Sequence, residues 1–90
     1  MKIVSWNVNG IRAIAKKTFF TDLELISPDI LCMQETKAQD QHITETFKHL
    51  NGYYIYSNSA KRPGYSGTAI VSKIKPVNVT GTRGFRIEKP

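Results

Sequence analysis

The stretch KIVSWNVNGIRA, residues 2–13, decides how the rest of the sequence is interpreted. Its first residues are apolar, β-branched or aromatic, and they predict a buried strand from Lys2 to Trp6. Asn9-Gly10 is a strong signal for a tight turn after that strand. The turn leaves Asn7 and Arg12 on either side of it. Their presence at a strand end has two explanations: turn chemistry, or contact with a ligand.

The residues after this turn continue in a β-α-β order. Apolar positions at helical spacing predict a helix from about Ala13 to Ile26, with Thr18 or Asp22 near its start. Pro28 ends this helix, because the residue before a proline is biased away from helical geometry. Ile30–Met33 is long enough for a strand and too short for a helix. Two such strands joined by a helix are expected to lie parallel, with a right-handed crossover.

The second half of the sequence indicates one more helix and then a run of strands. Ile43, Phe47 and Leu50 predict a helix closed by Asn51-Gly52. Strands are predicted at residues 53–56 and 66–72, with another at 77–80, whereas the tail from Gly81 to Pro90 has few apolar anchors. The order of elements predicts an α/β fold with a hairpin-rich second half, in a single small domain.

Composition limits the classes of partner. Ninety residues carry thirteen Lys and Arg against seven Asp and Glu, a net charge of +6. This balance favours a polyanionic partner. Cys32 is the one cysteine, lies within an apolar run and is predicted to be a small buried hydrophobe rather than a nucleophile. With no signal peptide and no membrane-spanning stretch, the chain is expected in the cytoplasm, without a membrane partner.

Polar residues follow both strands of the predicted parallel pair. Asn7 closes the first strand and Glu35 follows the second, 28 positions later. Carboxyl ends of parallel strands share one edge of the sheet, where ligands of open α/β sheets bind. A carboxylate suits Mg²⁺, and the Asn7 amide suits a phosphate oxygen or the orientation of another carboxylate. A lone glutamate at a strand end is more often a solvated loop residue, so spacing alone does not establish a metal site.

Basic residues form three clusters, and each has two interpretations. One follows the first turn, a second precedes Pro63-Gly64-Tyr65, and the third lies in the tail. A solvated surface is the commoner meaning of such residues. The loop KRPGYSG, residues 61–67, combines cations, an aromatic ring and glycines, which is typical of loops that follow a phosphate backbone. The clusters are Arg12, Lys16 and Lys17; Lys61 and Arg62; and Arg83, Arg86 and Lys89.

Three ordered stretches together resemble a known family. SWNVNGIRA at residues 5–13, PDILCMQETK at 28–37 and GYSGTAIVSK at 64–73 are similar to the N-terminal part of the exodeoxyribonuclease III and AP endonuclease family. That family belongs to the wider endonuclease–exonuclease–phosphatase group. The resemblance covers residues 1 to about 80. It implies the N-terminal half of a four-layered, DNase I-like α/β sandwich, with a mixed sheet and helices on one face.

The resemblance also implies roles for particular residues. It makes Glu35 the Mg²⁺ ligand, with Mn²⁺ as a substitute and Asn7 as a second metal residue. It also places Asn7 in the active site, hydrogen-bonded to the scissile phosphate or to a catalytic carboxylate. Lys37 matches a recurrent active-site lysine. Asn9 occupies a position that is Asp in some relatives, where it helps a second metal. The positions that the resemblance implies to approach the backbone of double-stranded DNA containing abasic sites are Arg12, Ala13, Lys17, Gly64 and Tyr65. Lys61 and Arg62 are further predicted DNA contacts, from the basic loop in which they lie.

The family's later catalytic residues have no counterpart in these 90 residues. The chain is therefore expected to be the N-terminal part of a nuclease domain, covered on its open sheet face by the C-terminal half or by a second copy. Alone, it is expected to be inactive. Two alternatives stay open. One is a basic module that binds nucleic acid without catalysis, and the other is a phosphatase or nuclease of another branch of the group.

Overall fold

The computed structural model describes residues 1–59, 66–75 and, for the backbone alone, 85–87. In chain order the elements are β1 (Ile3–Asn7), α1 (Ile11–Ala15), α2 (Phe19–Ile26), β2 (Ile30–Gln34), α3 (Asp40–Thr46), β3 (Tyr54–Ser59), β4 (Gly67–Ser72) and β5 (Phe85–Ile87). The predicted α/β class is confirmed. Among the described residues, none of the helices has the length and apolar character needed to cross a bilayer.

The strands form one mixed sheet in the order β1-β2-β4-β3-β5. β1 and β2 are parallel, with Ile3 opposite Ile30 and Asn7 opposite Gln34, as the β-α-β order predicts. β4 is antiparallel to both β2 and β3. The parallel pair brings the carboxyl ends of β1 and β2 to one edge of the sheet.

All three helices pack against one face of this sheet. Phe19 and Phe47 are fully buried and meet edge to face, with ring centroids 5.9 Å apart. They pack on alternate residues of the strands, so the period-two pattern places these residues on the helical face. The buried strand residues of this core are Leu31, Met33, Ile55, Ala69 and Val71.

The opposite face, termed here the open face, carries the strand residues that alternate with those of the core. Ile3 is 63% exposed and Ile70 is 42% exposed. β1 alternates between three exposed and two half-buried positions, so the strand exists but the prediction that it is buried is wrong. Cys32 is half-buried rather than buried, because alternation places it beside Ile70 on the open face.

The predicted helix over residues 13–26 is two helices in the structure. α1 already begins at Ile11 and ends at Ala15, and α2 begins after Thr18. The break occurs because tight turns close α1, with the Lys16 N–H donating to Ala13 and the Lys17 N–H to Ile14. Thr18, a favourable residue for starting a helix, then opens α2, which agrees with the start signal in the sequence.

Two boundaries in the second half also differ from prediction. α3 ends at Thr46 with Phe47 as its C-cap, because the chain tightens into i→i+3 turns before Asn51-Gly52. β3 begins at Tyr54 and extends to Ser59, beyond the predicted residue 56. β5 lies in the tail, where no strand is predicted, since its few apolar residues give no period. The predicted strand at 77–80 lies outside the described residues.

Candidate active site

The loops that follow β1 and β2 are bound together by main-chain hydrogen bonds. The N–H of Val8 donates to Gln34 O (3.0 Å), that of Gly10 to Glu35 O (2.8 Å) and that of Ile11 to Thr36 O (2.9 Å). The pairing of the two strands therefore continues past their ends and into α1. This geometry fixes the two loops relative to each other.

Three residues of these loops adopt left-handed backbone conformations. Asn9 has φ 45°, Glu35 has φ 53° and Lys37 has φ 51°. Such conformations are uncommon for residues with a side chain, and in Glu and Lys they cost free energy. Strained backbone of this kind concentrates at functional sites, and here it occurs where the sequence predicts the site. We refer to Asn7, Asn9, Glu35 and Lys37 as the site edge.

Asn7 contacts Glu35, as the predicted proximity of the two strand ends requires. The Asn7 Nδ2 amide donates to Glu35 Oε2. Its Oδ1 accepts from the Asn9 N–H at 3.1 Å, which forms an Asx turn. The turn explanation of Asn7 is therefore confirmed, because its oxygen stabilises the turn, and its nitrogen also orients a carboxylate. Contact of Asn7 with a ligand stays a prediction.

Lys37 contacts Asn9 in a second pair across the same loops. The Lys37 ammonium donates to Asn9 Oδ1 at 2.6 Å. Arg12, on α1, reaches the same loop, with its guanidinium 3.4 Å from Lys37 O. Two cationic groups therefore lie at the loop that carries Glu35. An ammonium, a guanidinium and a carboxylate on adjoining loops suit a ligand that combines a phosphate with a metal cation.

Thr36 lies between the two left-handed residues and points away from solvent. It is 1% exposed, and its N–H donates to Gly67 O at 3.1 Å. Its Oγ1 has no hydrogen-bond partner. Among the described residues it is the one buried side-chain polar atom without such a partner. A buried hydroxyl without a partner costs about 1–3 kcal/mol. This edge of the sheet is therefore a locally costly arrangement.

The residues predicted to contact DNA are described only in part. Arg12 and Ala13 are exposed on α1, and Lys17 is exposed in the turn that follows. All three lie on the segment that leaves the site edge. The remaining predicted contacts, Lys61, Arg62, Gly64 and Tyr65, lie outside the described residues.

The donor set fits a weakly held Mg²⁺. Mg²⁺ is commonly bound through one or two carboxylates, keeping several waters and taking substrate phosphates as ligands. Glu35 supplies one half-buried carboxylate. No cluster of three or more His, Cys, Asp or Glu residues occurs in the described parts of the chain. Because Asn7 turns its nitrogen toward Glu35, Glu35 is the better placed of the two predicted ligands.

Sequence reasoning noted that position 9 is Asp in some relatives, where it helps a second metal, and missed the contact of Asn9 with Lys37. The sequence did hold a signal for this contact, which is the offset of 28 residues that separates Asn7 from Glu35 and also Asn9 from Lys37. In a pair of parallel strands, two pairs of residues with the same offset face each other in the same way, so a contact of Asn7 with Glu35 predicts one of Asn9 with Lys37. The buried Thr36 hydroxyl had no signal in the sequence.

Comparison with known proteins shows which family this chain resembles. The model of the Endonuclease/Exonuclease/phosphatase family matches residues 4–88. An exodeoxyribonuclease of Bacillus subtilis is 45% identical over 80 residues, covering 88% of this chain and 31% of that protein. A DNA-(apurinic or apyrimidinic site) endonuclease of Dictyostelium discoideum is 38% identical over 80 residues, covering 89% of this chain and 22% of that protein.

The fold is also found among solved structures. The structure of an AP endonuclease from Archaeoglobus fulgidus is 35% identical, with a TM-score of 0.71 over 84% of this chain and 28% of that one. The chain spans less than a third of the length of each of these proteins. The resemblance to exodeoxyribonucleases and AP endonucleases is confirmed, and the chain belongs to the endonuclease/exonuclease/phosphatase family.

Proposed function

We propose that this chain provides part of the active site of a Mg²⁺-dependent nuclease that hydrolyses DNA phosphodiester bonds. The proposed activities are those of an AP endonuclease and a 3′-5′ exonuclease. The observation that carries the proposal is the convergence of Asn7, Glu35 and Lys37 on one sheet edge. The relatives named exodeoxyribonuclease and AP endonuclease support the choice of DNA as substrate.

Each residue of the site edge has a task that follows from its contacts. Glu35 would hold Mg²⁺, which when bound polarises the phosphodiester and stabilises the leaving oxygen. Asn7 keeps the Glu35 carboxylate in one orientation through its amide hydrogen bond. Lys37 offers a cation to a phosphate oxygen, and a preorganised donor of this kind stabilises the charge that builds during hydrolysis.

Double-stranded DNA with abasic sites is the proposed substrate, and the positive surface supports it. The net charge is +6, and Arg12 and Lys17 are exposed beside the site edge. Contacts from such residues to phosphates fix the position of a protein on a duplex without reading its bases. An abasic position would then be recognised through its deformability.

We also propose that the 90 residues do not cleave DNA by themselves. The described residues provide one carboxylate at the site edge, and in-line hydrolysis also needs a general base to activate water. The open face, where Ile3 and Ile70 are exposed, supports a covering partner: a C-terminal half or a second copy. The alternative of a non-catalytic binding module predicts DNA binding that ignores both EDTA and the loss of Glu35.

The test uses the chain alone and a chimera. In the chimera, residues 1–80 replace the matching 80 residues of the Bacillus subtilis exodeoxyribonuclease. We expect the chimera to incise an abasic-site duplex in Mg²⁺ and to lose this activity in EDTA. Glu35→Gln should lower kcat by at least about 10²-fold, because it removes the metal's carboxylate without changing the shape of the side chain.

Glu24→Gln is the matched control, because Glu24 is an exposed glutamate on α2, away from the site edge. It should leave incision unchanged. The proposal is wrong if a folded Glu35→Gln chimera incises as fast as the parent chimera. Incision by the 90-residue chain itself, lost in EDTA, would refute the proposed inactivity of the chain and leave the nuclease assignment intact.

A further inference from the structure

Glu35 and Lys37 carry opposite charges two residues apart and do not pair with each other. Among the described residues, the ion pair within 4 Å is a different one, between Lys48 Nζ and Glu45 Oε1 at 2.6 Å. Each charged group of the site edge is instead held by an asparagine of the facing loop. Asn7 donates to the carboxylate of Glu35, and Asn9 accepts from the ammonium of Lys37.

The backbone explains how both side chains come to reach the same loop. Glu35 and Lys37 are both left-handed, and Thr36 between them is buried. Glu35 and Lys37 are both half-buried, and each side chain reaches an asparagine of the facing loop. Opposite charges two residues apart attract each other, and these asparagine contacts compete with a direct ion pair.

We infer that Asn9 is a positioning residue that holds the Lys37 ammonium away from Glu35 and presents it to a phosphate of DNA. The inference rests on the proposed function. A neutral amide oxygen suits this task, because it accepts a hydrogen bond without cancelling the charge of the lysine. The Asn9 backbone, at φ 45°, is one that Asn adopts more readily than most residues, and this aims its side chain across the loop.

The inference assigns Asn9 a task different from metal binding. An aspartate at this position would pair with Lys37 and neutralise it. The Asn9 amide therefore leaves the loop after β2 with two charged groups, Glu35 and Lys37, where an aspartate would leave it with one. With Asn9 in place, the loop after β2 presents the Glu35 carboxylate, which has no ion-pair partner among the described residues, to a cation and the Lys37 ammonium to a phosphate.

The test is the salt dependence of DNA binding by the chain in EDTA, where the metal plays no part. Each phosphate contact contributes about 0.9 to the slope of log Kobs against log salt concentration. We expect Lys37→Met to lower the magnitude of this slope by about one unit. Asn9→Gly, which removes the amide while tolerating the left-handed backbone, should lower it by nearly as much.

Double variants separate positioning from direct effects. Asn9→Gly should have no further effect in the Lys37→Met background, since its role acts through the lysine. Asn9→Asp should lower the slope in the parent and change it little once Lys37 is gone, whereas direct repulsion of DNA would act in both backgrounds. Lys75→Met, an exposed lysine beyond the far end of β4, is the matched control for removing one positive charge. Circular dichroism establishes that each variant is folded.

The inference is overturned if Asn9→Gly keeps the parent slope while Lys37→Met loses a unit, because Lys37 then reaches the phosphate unaided. It is also overturned if Lys37→Met leaves the slope unchanged. The first result leaves the proposed nuclease function as it stands, and the second removes from it only the phosphate contact of Lys37. The function itself is judged separately by incision in the chimera. Absence of DNA binding by the parent chain would refute the inference, and metal-dependent incision would still decide the function.

Discussion

At the amino end of the β1–β2 pair, charged groups bond to main-chain and hydroxyl groups, whereas at the carboxyl end a carboxylate and an ammonium are each held by an asparagine side chain. The amino end is formed by Lys2, Asp29 and Lys73. The Lys2 N–H donates to the Asp29 carboxylate at 2.6 Å, and the Lys73 N–H donates to Asp29 O at 2.8 Å. Both ends lie on the same two strands.

The lysines of the amino end also stabilise the end of α2. The Lys2 ammonium donates to Ile26 O at 2.6 Å, and the Lys73 ammonium donates to Ser27 Oγ at 2.7 Å. Cations are favourable at a helix C-terminus, where the helix dipole is negative. The charged groups at this end bond to main-chain groups and to a serine hydroxyl, so little remains to attract a ligand. The site edge leaves Glu35 and Lys37 unpaired with each other, as a ligand-binding site requires.

The largest effect that would sharpen this comparison is on catalysis, through Asn7. Asn7→Ala removes the amide that orients Glu35 and the acceptor of the Asx turn. We expect kcat of the chimera to fall by about 10²-fold, as for other small misplacements of reacting groups. Steady-state kinetics on an abasic-site duplex measure this loss. Asn51→Ala, an exposed asparagine of a distant loop, should have no effect. Equal activity of Asn7→Ala and Asn51→Ala would remove Asn7 from the site.

The next largest effect is on the free energy of unfolding, and it tests whether the site edge is the less stable end of the β1–β2 pair. Thr36→Val replaces the buried, unpartnered hydroxyl with a methyl group of the same shape. We expect the free energy of unfolding to rise by about 1–3 kcal/mol, and Tm to rise by several degrees. Thermal unfolding followed by circular dichroism measures the shift.

Thr18→Val is the control for this prediction, because the Thr18 hydroxyl is exposed and donates to Asp22 at 3.1 Å. It should bring no such gain. A loss of stability in Thr36→Val would mean that its hydroxyl has a partner, and the site edge would then not be the costly end of the sheet.

The smallest effect concerns acid and the amino end. The hydrogen bond from the Lys2 N–H lowers the pKa of Asp29 below its ordinary 3.8. Desolvation is the next largest effect and opposes it, and the charges of Lys73, the N-terminus and Lys2 lower the pKa further. A lowered pKa in the folded state stabilises the protein above the unfolded value, and this contribution disappears as the pH falls through the folded value. Asp29→Asn should therefore lower Tm slightly at pH 7.

Below the ordinary aspartate pKa the difference between the parent chain and Asp29→Asn should shrink and then vanish. Thermal melts between pH 2 and neutrality, on the order of one per pH unit, follow it. Raised salt should reduce the difference at neutral pH, because exposed charges are screened. A difference that stays constant down to the lowest pH would show that Asp29 acts through its shape and not through its charge.

The sequence predicted the elements of the site edge better than its contacts. The β-α-β order was enough to place Asn7 beside Glu35, because parallel strands share a carboxyl end. It did not reveal the break in the helix over residues 13–26, since Ile11, Phe19 and Leu23 keep a helical spacing across that break. Local turn geometry, which depends on which N–H meets which carbonyl, decides such a break.

Other features depended on tertiary context that a pattern does not carry. Cys32 lies in an apolar run and is still only half-buried, because the helices cover the other face of its strand. The pairing of Lys37 with Asn9 depends on two left-handed residues, and neither Asn9 nor Lys37 signals that conformation with certainty. β5 forms because it pairs with β3, and its three residues are too few to show a period of their own.

The most direct test of the account is to ask which carboxylate of the β1–β2 pair binds a divalent metal. Mn²⁺ added to the isotopically labelled chain broadens the NMR signals of nearby amides, and both ends of the pair are read in one titration. We predict broadening at Asn7, Gly10 and Thr36 around Glu35, with the amides of Lys2 and Asp29 unaffected. Broadening centred on Asp29, or none around Glu35, would contradict the assignment of the site edge as the metal-binding end.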